Sequence, residues 1–88
     1  MSDLQSLRDL RSGDGVTLTM LAGKIKHFGV HATLWYQTHL GQIHRSVVRR
    51  WVTRGWVTEP RGCARLGVYA VRRYRLTDEG RDALESTP

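Results

Sequence analysis

Apolar positions along the chain fall into short runs separated by glycines, and most runs carry helical spacing. Leu4, Leu7 and Leu10 mark one face of a helix over 2–11, with Ser2 and Gln5 forming a capping-box pattern at its start. Ser12-Gly13-Asp14-Gly15 then breaks the chain. Leu18, Leu21, Ile25 and Phe28 predict a helix that starts near Thr17 or Thr19 and ends at Gly29, with Lys24 and Lys26 facing water. After Val30 as a single extended residue, Thr33 caps a helix bearing Leu34 or Trp35, then Tyr36 and Leu40, and closing at Gly41. The next helix covers 43–54. Its buried stripe is Ile43, Val47 and Trp51, flanked by Val48 and Val52, and Gly55 stops it. The opposite face presents Arg45, Ser46, Arg49, Arg50 and Thr53.

Beyond Gly55 the pattern becomes strand-like. Trp56-Val57-Thr58 reads as one strand, a loop opens at Pro60-Arg61-Gly62 and closes near Gly67, and a second strand spans 68–76. Strict alternation in that strand groups Val68, Ala70, Arg72, Tyr74 and Leu76, which turns Arg72 inward. A bulge at Arg72-Arg73 instead aligns Tyr69 and Val71 with Tyr74 and Leu76. The pattern leaves both open. Thr77 caps a last helix, with Asp78 and Glu79 in its first turn and Ala83 and Leu84 as its apolar contacts.

Composition narrows the function classes. A chain of 88 residues suffices for one domain with a modest core, which disfavours a large enclosed active site. One cysteine, Cys63, excludes an intrachain disulfide and a cysteine-only zinc site. The first residues lack a signal-peptide pattern. The uncharged stretch 27–44 is too polar to cross a membrane, so a cytoplasmic, nucleoid-associated protein is expected. The formal net charge is +6, and residues 42–76 exceed it alone, with nine arginines against Glu59. Clustered arginine is the footprint of a polyanionic partner, because the planar guanidinium suits phosphates and guanine edges.

Two helices meeting at Gly41, the second arginine-faced and followed by a basic hairpin, predict a helix-turn-helix with a wing. The chain here resembles the winged helix-turn-helix transcriptional regulators, MarR-like and PadR-like families included. The resemblance rests on Leu40-Gly41-Gln42-Ile43-His44-Arg45-Ser46-Val47-Val48-Arg49-Arg50-Trp51, its continuation through Gly55-Trp56-Val57, and Tyr74-Arg75-Leu76-Thr77-Asp78-Glu79-Gly80-Arg81. It covers about residues 16–84, with Gln37 and Gln42 standing where those families usually place a small and an apolar residue. The expected fold is thus α+β but mostly helical: a three-helix core, a two-stranded wing and a C-terminal helix over 16–88, after a short N-terminal helix and turn over 1–15. The resemblance implies double-stranded DNA binding, commonly as a homodimer and often for transcriptional repression.

The candidate DNA contacts are Gln42, His44, Arg45, Ser46, Arg49, Arg50 and Thr53 on the recognition helix and Arg61 and Arg65 on a wing over about 58–68. Arg72, Arg73 and Arg75 either reach phosphate or meet acids of the last helix. Trp35, Trp51, Trp56 and Tyr74 lie on apolar stripes and are expected in the core rather than as stacking platforms. No metal or other cofactor is expected, because Gly29 interrupts the His27/His31 pair, and Cys63 reads as an inert thiol. Catalysis finds no motif: Gly62 to Gly67 has phosphate-loop glycine spacing, but Val68 and Tyr69 stand where that motif needs Lys and Ser/Thr. The competing expectation is a protein-interaction module that docks on an acidic surface of another protein. The leucines of the N-terminal helix are the candidate dimer contact.

Overall fold

The computed structural model describes residues 2–21, 34–62, 64–67 and 69–86, with the side chains of Leu21, Arg65 and Leu66 excepted. The expected elements at Lys24, Lys26, Gly29, Val30 and Thr33, the His27/His31 pair and Cys63 lie outside them. The order is α1 (Asp3–Leu10), β1 (Gly15–Leu21), β2 (Trp35–Thr38), β3 (Gly41–His44), α2 (Arg45–Thr53), β4 (Val57–Thr58), β5 (Ala64–Leu66), β6 (Tyr69–Leu76) and α3 (Asp78–Ser86). Among the described residues all strand pairings are antiparallel, in the order β3-β2-β1-β6-β4, with β5 also on β6.

The mostly helical, winged helix-turn-helix expectation is therefore wrong. Residues 15–21 form a strand in register with all but the last residue of β6, from Gly15 opposite Arg75 to Leu21 opposite Tyr69. Val16, Leu18 and Met20 are buried between exposed Thr17 and half-buried Thr19, a period of two. Where a helix ending at Gly41 was expected, β2 and β3 form a hairpin with Tyr36 opposite Ile43 and Thr38 opposite Gly41. Gly41 does adopt a positive φ of 111°, but it does so beside a two-residue hairpin loop rather than between helices. Thr38 secures that loop, its hydroxyl accepting from Leu40 N at 3.1 Å and donating to the Gly41 carbonyl at 2.7 Å.

The inner sheet face and the three helices enclose one core containing Leu7, Leu10, Val16, Leu18, Met20, Tyr36, Ile43, Val48, Trp51, Val57, Ala70, Tyr74, Leu76 and Leu84. Leu7 and Leu10 are spent inside this core, with Leu4 packed against it, so the leucines of α1 do not form a free dimer seam. Trp51 is fully buried and its indole N–H donates to the Asp3 carbonyl at 2.9 Å, locking α2 to α1. Burying a side chain of that size contributes about 3 kcal/mol or more.

The helix ends are fixed by local chemistry. Ser2 Oγ accepts from Gln5 N at 3.1 Å at the start of α1. Gly55, at φ 75°, ends α2 with Gly55 N donating to Val52 O and Trp56 N to Trp51 O, both at 3.0 Å. That pair of bonds is the Schellman arrangement. Thr77 N donates to Trp56 O at 3.0 Å, Thr77 Oγ1 donates to the Gly55 carbonyl, and Gly80 N donates to Thr77 Oγ1 at 2.9 Å. The two sequence segments Gly55-Trp56 and Thr77-Asp78-Glu79-Gly80 are thus physical partners that dock α3 on the end of α2.

A candidate nucleic-acid interface

The strand β6 is held along one side by β1 and on the other by two short pieces. Leu76 and Arg75 pair with β4, while Val71, Ala70 and Tyr69 pair with β5. The chain leaves the sheet between these pieces, and residues 59–62 form a loop beside the gap. Strict alternation holds along β6, without a bulge: Ala70, Tyr74 and Leu76 are buried, and Arg72, opposite Leu18, faces inward with its side chain only 13% exposed.

Arg72 explains the loop's position. Its guanidinium donates to the Pro60 carbonyl at 3.3 Å, lies 3.6 Å from a Glu59 carboxylate oxygen and rests over the Tyr74 ring at 5.5 Å. Tyr74 is itself buried, and that burial raises its phenol pKa far above the ordinary value, so it stays neutral.

Between this loop and α2 lies an open cleft of ≈ 600 Å³. The wall from α2 is Arg45, Val48, Arg49, Val52 and Thr53. The opposite wall is Glu59, Arg61 and Gly62, and Tyr36, Arg72 and Tyr74 form the floor. Four arginines from α2, the loop and β6 therefore border one concavity against a single carboxylate. Arg49 and Arg61 are exposed at the rim with no acidic partner among the described residues.

The structure separates the expected contact residues into groups. Arg45, Arg49, Thr53 and Arg61 come together at the cleft. Arg50 points instead to α1, where Nε and Nη2 donate to the two Asp3 carboxylate oxygens at 2.6 and 3.0 Å. That bond holds the Asp3 carboxyl below its ordinary pKa, with Arg54 adding a weaker pull from 3.9 Å. His44 is the N-cap of α2, its Nδ1 accepting from Ser46 N at 3.1 Å and lying 2.8 Å from Ser46 Oγ. Its ring also meets Trp35 edge-on at 4.8 Å. Gln42 sits exposed on β3, opposite Gln37, on the outer sheet face. Arg65 is placed as backbone in β5 opposite Ala70.

An inward Arg72 is one of the two arrangements the sequence pattern leaves open, and Glu59, Tyr36 and Tyr74 have no sequence signal linking them to α2. Arg73 does not reach the last helix. It donates to Thr17 Oγ1, the Ser12 carbonyl and Asp14 at 2.9, 2.7 and 2.9 Å, pinning the turn before β1. Among the aromatics, Trp51 and Tyr74 are buried and Trp56 half-buried, whereas Trp35 is 52% exposed, against the expectation that it belongs to the core. Among the described residues no helix is long and apolar enough to cross a membrane, and no group of three or more metal-ligating side chains occurs. Comparison with known proteins finds no matching family model, no similar curated protein and no similar solved structure.

Proposed function

We propose that this protein is a double-stranded DNA-binding regulator that grips the sugar–phosphate backbone with α2 and the 59–62 loop. The observation that carries the reading is the meeting of Arg45, Arg49 and Arg61 beside Arg72 at one cleft with Glu59 as the sole acid among the described lining residues. Such an excess of guanidinium is compensated by a polyanion. The cleft favours a duplex over a single strand because its aromatic rings are not available for stacking: Tyr36 and Tyr74 are each 2% exposed. Its rim offers guanidinium and hydroxyl donors, the groups that hold phosphates in register. Regulation then follows from occupancy of a DNA site.

Fluorescence anisotropy with a mixed-sequence duplex over a range of salt tests this directly. Affinity is expected to fall log-linearly with salt, and each lost phosphate contact flattens the slope by about 0.9. Arg49→Ala and Arg61→Ala should each do so. Arg50→Ala should not, because Asp3 already neutralises that guanidinium. No duplex binding at low salt would refute the proposal and favour docking on an acidic protein surface.

A further inference from the structure

The interior of the cleft differs from its rim. Arg72 lies at the floor with only 13% of its side chain exposed, behind the rim residues Arg49, Thr53 and Arg61. An internal phosphodiester is flanked on both sides by sugar and carries a single charge. A terminal or free phosphate has one open side and can enter. Near neutral pH a monoester also carries about −1.5 to −2 charges and presents three acceptor oxygens.

The arrangement around Arg72 fits an incoming oxyanion. Its ion-pair partner, Glu59, stands at 3.6 Å, beyond hydrogen-bond length, on a carboxylate that is itself 60% exposed. The same nitrogen, Nη2, donates to the Pro60 carbonyl at 3.3 Å, and the guanidinium rests over the Tyr74 ring, so two contacts besides Glu59 hold it in place. Arg45, Arg49 and Arg61 border the same space, and Val48 and Val52 give one wall an apolar strip. The cleft, at ≈ 600 Å³, lies within the roughly 300–1,000 Å³ typical of small-ligand sites.

We infer that this cleft is a phosphate-monoester site in which the ligand's phosphate displaces Glu59 from Arg72 and is clamped by the rim arginines. The inference goes beyond the duplex reading and does not need it. Two sources share the chemistry, a 5′-terminal phosphate on DNA and a free phosphorylated small molecule, and the experiment separates them.

Calorimetry compares deoxyadenosine monophosphate with deoxyadenosine, and a 5′-phosphorylated duplex with its 5′-hydroxyl counterpart. A preference of about tenfold or more for the phosphorylated member is expected in at least one pair, and the pair that shows it names the source. Arg72→Gln should remove the preference. Glu59→Gln, an exposed substitution that leaves the core untouched, should strengthen monoester binding several-fold by removing the competing carboxylate. That second variant keeps the test decisive if Arg72→Gln fails to fold. Equal affinity within both pairs, or weaker monoester binding by Glu59→Gln, overturns the inference. A closed dumbbell duplex, which has no ends, reports on rim binding alone, so failure of the duplex reading is seen separately.

Discussion

Replacing Gly80 by alanine pits helix propensity against packing, and the two predict opposite signs. Gly80 lies inside α3, where alanine is intrinsically favoured by up to about 1 kcal/mol. A Cβ at this position, however, would lie 2.1 Å from the Trp56 carbonyl oxygen, 2.9 Å from its carbon and 3.1 Å from its Cα. All three atoms are backbone, so no side-chain rotation relieves the clash. Trp56 cannot retreat freely either, because its N–H is bonded to Trp51 O and its carbonyl accepts from Thr77 N, both at 3.0 Å.

Opening the contact to van der Waals distance moves α3 by more than about 1 Å, an overpacking strain of about 1–3 kcal/mol. The weakened Thr77–Trp56 bond adds about 1 kcal/mol. Less the propensity gain, the net destabilisation is about 2 kcal/mol, which lowers the Tm of a domain this size by roughly 8–16 °C. Thermal and urea unfolding followed by circular dichroism measure it. Gly62→Ala is the control: nothing lies within 4 Å of its Cβ position, and stability should change by less than about 1 kcal/mol. A Gly80→Ala variant as stable as the parent, or more so, would show that α3 does not dock on the Trp56 backbone.

Three further outcomes are expected. Thr77→Val should cost about 1–2 kcal/mol in urea unfolding by removing the cap on Gly80 N and the donor to the Gly55 carbonyl, and Thr77→Ser should retain most of the stability. The Arg50 bond to Asp3 and the Arg73 bond to Asp14 each hold a carboxyl below its unfolded pKa. Their stabilisation is therefore complete above about pH 4 and lost as pH falls through the folded values, so the stability gap between the parent and Asp3→Asn should close in acid. A gap that persists unchanged at low pH would remove the ion pair as its cause. Trp51→Phe should lower stability by about 1–3 kcal/mol, through lost volume and the lost bond to the Asp3 carbonyl, as read by chemical unfolding.

What was legible in the sequence was what local chemistry decides. Ser2, Thr77 and Gly55 mark helix ends through caps that need no tertiary context, and α1, α2 and α3 lie close to where they were expected. Even there α2 begins two residues later than expected, because Ile43 is used as the inward residue of β3, and its buried positions are Val48 and Trp51. The strands β1, β2 and β3 were misread because their apolar residues satisfy two periods at once. Leu18 and Leu21 suit a helix that continues to Ile25 and Phe28, while Val16, Leu18 and Met20 suit a strand. The β-branched Val16, Thr17 and Thr19 favoured the strand.

The β2–β3 hairpin lacked an Asn-Gly signal, since its loop is His39-Leu40, and Gly41 drew the reading toward a helix-turn-helix. At the candidate site, the arginines of α2 were visible as a face but their divergence was not. Arg45 and Arg49 turn to the cleft, whereas Arg50 is taken by Asp3, 47 residues away. No local rule encodes a pairing at that separation.

The central question is which face of the molecule meets DNA. Backbone amide chemical shifts recorded during titration with a short duplex measure this residue by residue. The predicted perturbations cluster at α2 and the 59–62 loop. Shifts confined to the outer sheet face, at Thr17, Thr19, Gln37 and Gln42, with the cleft silent, would contradict it.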